Sequence, residues 1–299
     1  SFTNSHNSFE LGMASIEALH KMDKGSVFVD LGFGNRAAQF TYNDGIKTFI
    51  IKQLNFTYKF SDKFKVTLGS FATHVGYELV DAVDNKNYSM SYAFTYGPFF
   101  NTGIKVQYTS NKFSFMAGVS NPTDLKSTID AGSTQKTFIG QLAFLGDTGS
   151  AYFNVTSGSS NPSSDENKTQ FDFVGKKKLS KAFSLGFNGT YALTTNDLDS
   201  ALNGEWFALV GYTNFAIKES LSLAYRLEYL NAKQATAKLG LLAGTNVVGN
   251  TLSLNYKVGH LTIIPEFRFD IASEDIFTDS NAAPKGLTAY ALLATTYSF

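Results

Sequence analysis

Residues 53–60 read Q-L-N-F-T-Y-K-F, and residues 220–229 read S-L-S-L-A-Y-R-L-E-Y. In the first, Leu54, Phe56, Tyr58 and Phe60 share one face, against Gln53, Asn55, Thr57 and Lys59. In the second, Leu221, Leu223, Tyr225, Leu227 and Tyr229 oppose Ser222, Ala224, Arg226 and Glu228. The same alternation sets Phe267, Phe269 and Ile271 against Glu266, Arg268 and Asp270, and puts Asp172 between Phe171 and Phe173. A period of two means a strand with one apolar and one polar face. A soluble sandwich alternates too, so length decides. Strands of globular proteins run about 5 to 6 residues, whereas strands that cross a membrane need about 9 to 11.

Fifteen segments of this kind are expected, centred near residues 8–20, 26–34, 48–60, 64–78, 100–110, 113–120, 136–146, 149–157, 169–179, 182–194, 205–217, 220–232, 247–258, 261–273 and 287–299. The connections between them alternate, short then long. Ser61–Lys63, Asn111–Lys112 and Lys218–Glu219 are short, while 35–47, 79–99 and 121–135 are long. Tight turns on one side and long loops on the other are what an outer-membrane barrel shows. Tyr58, Phe60, Tyr108, Tyr191, Tyr212, Tyr229 and Tyr297 fall toward strand ends, where interfacial girdles are expected. The fold class is therefore all-β, a transmembrane antiparallel up-and-down β-barrel forming one domain over residues 1–299.

Composition narrows the function classes. Aromatics make up 15% of the 299 residues and charged side chains 17%, with 25 basic against 25 acidic groups, so the chain is not of the disordered class. No basic excess exists to displace counterions from a phosphate backbone, which excludes a general nucleic-acid binder. The absence of Cys removes disulfides, thiolate catalysis and Cys-based metal sites. No apolar run approaches the 18 or so residues of a membrane-spanning helix.

Parity sharpens the expectation. The final segment ends on Thr-Thr-Tyr-Ser-Phe, with Leu293, Thr295, Tyr297 and Phe299 on one face. A terminal aromatic of this kind, Phe299, is similar to the signal that outer-membrane proteins present to the barrel-assembly machinery. If Phe299 is periplasmic, counting back leaves residues 1–7 outside, so a sixteenth strand is expected upstream of Ser1. Sixteen strands leave an aqueous channel.

Several stretches bring a family into view. N-S-F-E-L-G-M-A-S-I-E (Asn7–Glu17) followed by V-F-V-D-L-G-F-G (Val27–Gly34) resembles the opening of the OmpL-like β-barrel porin family. The blocks Gly69–Glu78 and Asn87–Ile104 resemble its most recognisable segment, and G-E-W-F, Y-R-L-E-Y and Leu252–Asp270 are similar near the end. The resemblance covers most of the chain in order. It implies a Gram-negative outer-membrane porin, and no particular substrate. The family pattern usually has a basic residue where Ser70 stands here.

The polar faces supply the candidate site. Asp30, Lys105, Gln107, Asp172, Asn188, Arg226, Glu228, Glu266, Arg268 and Asp270 lie opposite the apolar stripes, with Lys52 a weaker case because Ile50 shares its face. A charge facing lipid at mid-membrane costs about 2 to 4 kcal/mol, so these residues are expected to line a lumen. Their mixed signs predict a polar, weakly selective channel for small hydrophilic solutes and ions. Pro265 predicts a bulge. In general porins the third outside loop commonly folds inward, and 79–99 is third if a strand precedes Ser1. Asp81, Asp84 and Lys86 would then face Lys105, Arg226 and Arg268. The alternative is that Tyr88, Tyr92, Phe94, Tyr96 and Phe99 merely cap the barrel.

Enzyme chemistry has little to stand on. His6, His20 and His260 fall in the start or in turns, and His74 reads as a hydrogen-bonded residue at a strand end. No G-x-S-x-G, H-E-x-x-H or P-loop occurs, and no cofactor or resident metal is expected. Asp81, Asp84, Asp124, Asp130, Asp165, Glu166, Asp197, Asp199, Glu274, Asp275 and Asp279 are expected in outside loops, solvated or bridging lipopolysaccharide through divalent cations. Lys176–Lys178 sit near a short turn, where a headgroup role is expected. The expected partners are outer-membrane lipid and lipopolysaccharide, the assembly machinery and the solutes themselves. An apolar outer wall suits a monomer, a homo-oligomer or a complex with an outer-membrane partner equally. The rival readings are a plugged scaffold barrel and an outer-membrane enzyme with its site at the loop rim.

Overall fold

The alternating segments fold as strands because each buries its polar face against the interior and leaves its apolar face outside. A computed structural model describes residues 3, 7–40, 51–127, 135–159, 166–234 and 243–299. The strands are β1 (Ala14–Lys21), β2 (Gly25–Phe33), β3 (Ile51–Lys59), β4 (Phe64–Ala72), β5 (Phe100–Thr109), β6 (Phe113–Ser120), β7 (Thr137–Gly146) and β8 (Gly149–Ser159). They continue as β9 (Glu166–Lys178), β10 (Phe183–Asn196), β11 (Gly204–Lys218), β12 (Leu221–Gln234), β13 (Thr245–Val258) and β14 (Leu261–Ala272). A two-stranded ribbon, β15 (Phe277–Thr278) with β16 (Pro284–Lys285), stands apart, and β17 (Leu287–Tyr297) ends the sheet.

Each strand pairs antiparallel with its chain neighbour, giving one sheet of 15 strands in the order β1 to β14, then β17. All fifteen expected segments are strands. The sheet is up-and-down, and the short connections, such as 147–148, 219–220 and 259–260, all lie at one end. No sixteenth strand lies among the described residues, and β1 and β17 are its two edges. Thr3 donates to the Tyr290 hydroxyl at 3.2 Å, so Thr3 lies beside β17.

Leu142, Phe153, Phe171, Leu209, Leu227, Leu252 and Phe267 are exposed on the outer face, an apolar belt that water would penalise and lipid would not. Three details depart from expectation. Tyr212 is buried on the inner face, not in an outer girdle, because the inward positions of β11 (Trp206, Ala208, Val210) are themselves apolar. Pro265 makes no bulge: the register holds from Ser253↔Glu266 to Tyr256↔Ile263, and only the ladder bonds between are missing. A register shift instead falls at Asp30/Leu31 opposite β3, which lets Lys52 and Gln53 both turn inward.

The expected strand 64–78 stops at Ala72. Gly69 sits at φ 115°, a conformation that L side chains rarely adopt, and a Cβ there would collide with the Leu54 carbonyl oxygen of β3. Gly69→Ala should therefore cost about 1–3 kcal/mol in urea unfolding of the refolded protein. Gly211→Ala, which meets nothing within 4 Å, should leave the midpoint unchanged.

Candidate functional site

Residues 73–99, between β4 and β5, pass inside the curled sheet. The Thr73 N–H donates to the Phe99 carbonyl at 2.9 Å, closing the neck of this segment. Asp124 accepts from the Phe99 and Phe100 N–H groups at 2.6 and 3.0 Å and pins the same neck. Beyond it, bonds run to wall after wall. The Gly76 N–H reaches Asp172 of β9 at 3.0 Å, and the Tyr77 ring stacks on Tyr212 of β11 with centroids 4.0 Å apart. Asn87 donates to Ser253 of β13 at 2.7 Å, and Asp81 accepts from Ser15 of β1 at 2.9 Å.

The strongest anchorage is ionic and comes from β12 and β14. Arg226, fully buried, donates to Glu78 at 2.8 Å, to its own strand's Glu228 at 3.1 Å and to the Ser89 carbonyl at 2.5 Å. Arg268 lies 3.1 Å from Glu228 and donates to Asp270 at 2.9 Å and to the Met90 carbonyl at 2.7 Å. The carboxylates then hold backbone amides. Glu266 accepts from the Tyr88 and Ser89 N–H groups at 2.7 and 3.0 Å, Glu228 from Tyr92 at 2.6 Å, and Glu78 from Ser91 at 2.8 Å. Ser91 caps the short helix α2 (Tyr92–Thr95), accepting from Phe94 N–H. The Tyr92 hydroxyl donates to Asp270 at 2.7 Å, and burial, with that carboxylate, holds its phenol well above the usual range.

Apolar packing completes the seat. Ala93 packs with Trp206, Val210 and Leu230 of the wall, while Phe40, Val80, Met90, Phe94, Phe99 and Phe100 form a second core around the segment. The opposite wall is different. On β3 to β6 the inward groups bond mainly to one another, Thr57 to Thr67 at 2.9 Å and Gln107 to Ser114 at 3.0 Å. Thr57 and Gln107 are only half-buried. The segment thus covers one side of the interior and leaves polar groups of the other partly exposed.

The sequence matches the family described as "Putative beta-barrel porin-2, OmpL-like" over residues 1–299. The chain belongs to that family. It is an outer-membrane porin of the Gram-negative type, a barrel for passive diffusion of solutes. No curated protein sequence matches it. Among solved structures, in-vitro-folded OmpT, an outer membrane protein of Vibrio cholerae, is similar at 13% identity and TM-score 0.60, covering 96% of this chain and 89% of that one. The anion-selective porin from Comamonas acidovorans is similar at 9% identity and TM-score 0.61, covering 95% and 85%. At these identities the likeness is one of fold.

In the porin, Asp30, Asp172, Asn188, Arg226, Glu228, Glu266, Arg268 and Asp270 all lie buried on the inner face, as their alternation implied. Most of them hold residues 73–99 in place. The expected opposition is corrected: Asp81 pairs with Lys52 at 2.7 Å, while Asp84 and Lys86 are exposed. The carboxylate that meets Arg226 is Glu78, which reads as a strand residue because alternation carries past Ala72. Among the described residues Lys105 forms no ion pair, and it lies 3.9 Å over the Phe71 ring. Lys176 turns inward, 4.6 Å over Tyr77, and not toward headgroups. Asp124 is buried at the neck and not solvated in a loop, and Asp199 caps a turn through the Ala201 N–H. His6, Ile50, Asp130 and Asp165 lie outside the described residues.

His74 bonds through Nε2 to the Val155 carbonyl at 3.0 Å, and burial pushes its imidazole down to about 4, so it is neutral at neutral pH. Carboxylate oxygens of Glu17, Asp30 and Asp81 lie within 4.8 Å of one another. The Lys52 ammonium sits 3.0 Å from Asp30 and 2.7 Å from Asp81, taking the place a cation would fill. Arg226→Ala should leave Glu78 buried without its counter-charge and Glu228 with Arg268 alone, and cost about 3–5 kcal/mol. Urea unfolding checks this, with Lys233→Ala, an exposed partner of Glu205, leaving the midpoint in place.

Proposed function

We propose that the porin passes small hydrophilic solutes and ions through a water-filled lumen narrowed by residues 73–99, with no catalytic step. The supporting observation is the asymmetry of the interior. The inner faces of β11 to β14 are buried against the segment, whereas Thr57 and Gln107 opposite are polar and only half-buried. A wholly plugged scaffold would bury both sides. In this reading Asp30, Lys105, Gln107, Asp172, Asn188, Arg226, Glu228, Glu266, Arg268 and Asp270 line the pore wall, but most act by seating the segment instead of touching the solute. Asp81 belongs to the segment's anchorage to β1 and β3, and Asp84 and Lys86 face solvent beside it.

This reading invokes no acid–base chemistry. His74, the titratable group best placed for acid–base work, spends its Nε2 on a backbone carbonyl. Phe299 lies beside Tyr297, with ring centroids 6.2 Å apart, as an exposed aromatic suited to the assembly machinery. The apolar outer belt faces lipid and lipopolysaccharide acyl chains. It also suits a homo-oligomer: a trimer form of OmpT from Vibrio cholerae shares the fold at 13% identity and TM-score 0.62, covering 96% of this chain and 91% of that one.

Single-channel recording in a planar bilayer tests the reading. Wild type should give stable steps. The double variant Glu78→Gln/Glu266→Gln, which weakens four carboxylate bonds to residues 88–91, should give noisier currents with larger substates. Quiet, unchanged steps would show that the segment does not narrow the path.

A further inference from the structure

We propose that the porin selects for small anions through a basic vestibule between residues 73–99 and the short turns. This rests on the reading of an open lumen and names the solute class that lumen favours. The argument starts from where the strand carboxylates fall. On β3 to β14 they are Glu166, Asp172, Glu205, Glu228, Glu266 and Asp270, and every one lies at or beyond the level of the inner segment, toward the long loops. Asp172 is occupied by Asn154, Asn188 and the Gly76 N–H, and the last three named serve the ionic anchorage or its amides.

The half of the wall nearer the short turns is different. Residues 55–59, 64–67, 105–109, 113–116, 141–146, 149–154, 174–178, 183–187, 213–218, 221–225, 254–258 and 261–265 contain no Asp or Glu on either face. Lysines do occur there, on inward positions. Lys59 follows Gln53, Asn55 and Thr57, and Lys65 precedes Thr67, whose hydroxyl bonds Thr57 across the inner face. Lys176 sits over the Tyr77 ring of the inner segment, with Lys178 two residues on. Lys257 continues the row of Ser253 and Asn255, which bond Asn87 and the Lys86 carbonyl. Lys105 stands opposite Thr67.

Two features mark these charges as unneutralised. Among the described residues, the ion pairs of the inner face use Lys52, Arg226 and Arg268, and none uses a vestibule lysine. Lys59 and Lys65 are direct cross-strand partners, a like-charge pair that costs stability unless both ammonium groups stay hydrated. The turns beyond are balanced, with Asp23, Asp62, Asp147 and Glu219 against four lysines, so they do not cancel the field. A narrow wall lined by one sign concentrates the opposite ion. Lysine presents a compact, hydrated point charge and no bidentate fork, which fits attraction of passing anions better than tight capture. In this proposal the wall carries both signs, but the acids Asp172, Glu228, Glu266 and Asp270 are engaged with the segment or its anchorage, which leaves the vestibule basic.

The test is reversal potential in a planar bilayer across a KCl gradient, with the full chain. Wild type should favour chloride over potassium, the more so in dilute salt, where the Debye length lengthens from about 10 Å at 0.1 M to about 30 Å at 0.01 M. Lys65→Gln/Lys105→Gln/Lys176→Gln should lower the chloride-to-potassium permeability ratio by at least about twofold. Each single variant should lower it in part, which covers the case of a triple that does not fold. Lys285→Gln, on the outer ribbon beside Asp279, should leave the ratio alone. Steps with no preference or a potassium preference, or singles that leave the ratio unchanged, would overturn anion selection while leaving the pore intact. A folded barrel with no steps at all would overturn the pore reading and this inference together.

Discussion

Two arginines pointing into a barrel set the terms for everything else. Arg226 and Arg268 are fully buried, and an ion that leaves water must find opposite charge and hydrogen-bond partners or destabilise the fold by several kcal/mol. Neighbouring strand residues supply part of the answer, Glu228 between the two guanidinium groups and Asp270 beside the second. The wall cannot finish the task alone. Glu78 and the carbonyls of Ser89 and Met90 arrive from residues 73–99, and wall carboxylates in turn accept amides of Tyr88, Ser89 and Tyr92 that would otherwise lack partners. Wall and segment are thus each incomplete without the other.

This mutual dependence explains the asymmetry of the interior. Acidic groups are drawn to the side and level where the segment seats, and apolar inward positions on β11 to β13 receive its aromatic rings. Tyr77 over Tyr212 shows the consequence: the neighbouring β10 position is Gly186, and a Cβ there would collide with the Tyr77 ring. What remains beyond the segment is polar and basic. Selectivity then follows from what anchorage has used up as much as from what lines the path.

The strands were legible because a sheet wet on one face and apolar on the other writes its period directly into the sequence. The inward charges were legible for the same reason, since Arg226, Glu228, Arg268 and Asp270 alternate with residues that can only face lipid. The partners were not. Glu78 continues an alternating run from Phe64, and only the turn at Gly69 and the break after Ala72 send it across the interior. Lys52 is only a weaker candidate in the sequence because Ile50 shares its face, and the register shift against β2 is what turns it inward. Tyr212 belongs to a strand apolar on both faces, where period two carries no sign of which side is which. Long-range pairing of a loop with a wall more than a hundred residues away leaves no local pattern to read.

The central claim is that residues 88–92 are bonded to the wall inside the folded barrel. Amide hydrogen exchange of the wild-type protein, read at Tyr88, Ser89, Ser91 and Tyr92, tests it most directly. Protection comparable to that of the β12 and β14 amides is the predicted result, because each of these N–H groups donates to a buried carboxylate. Exchange as fast as that of exposed turn amides such as Asp62 would contradict the account.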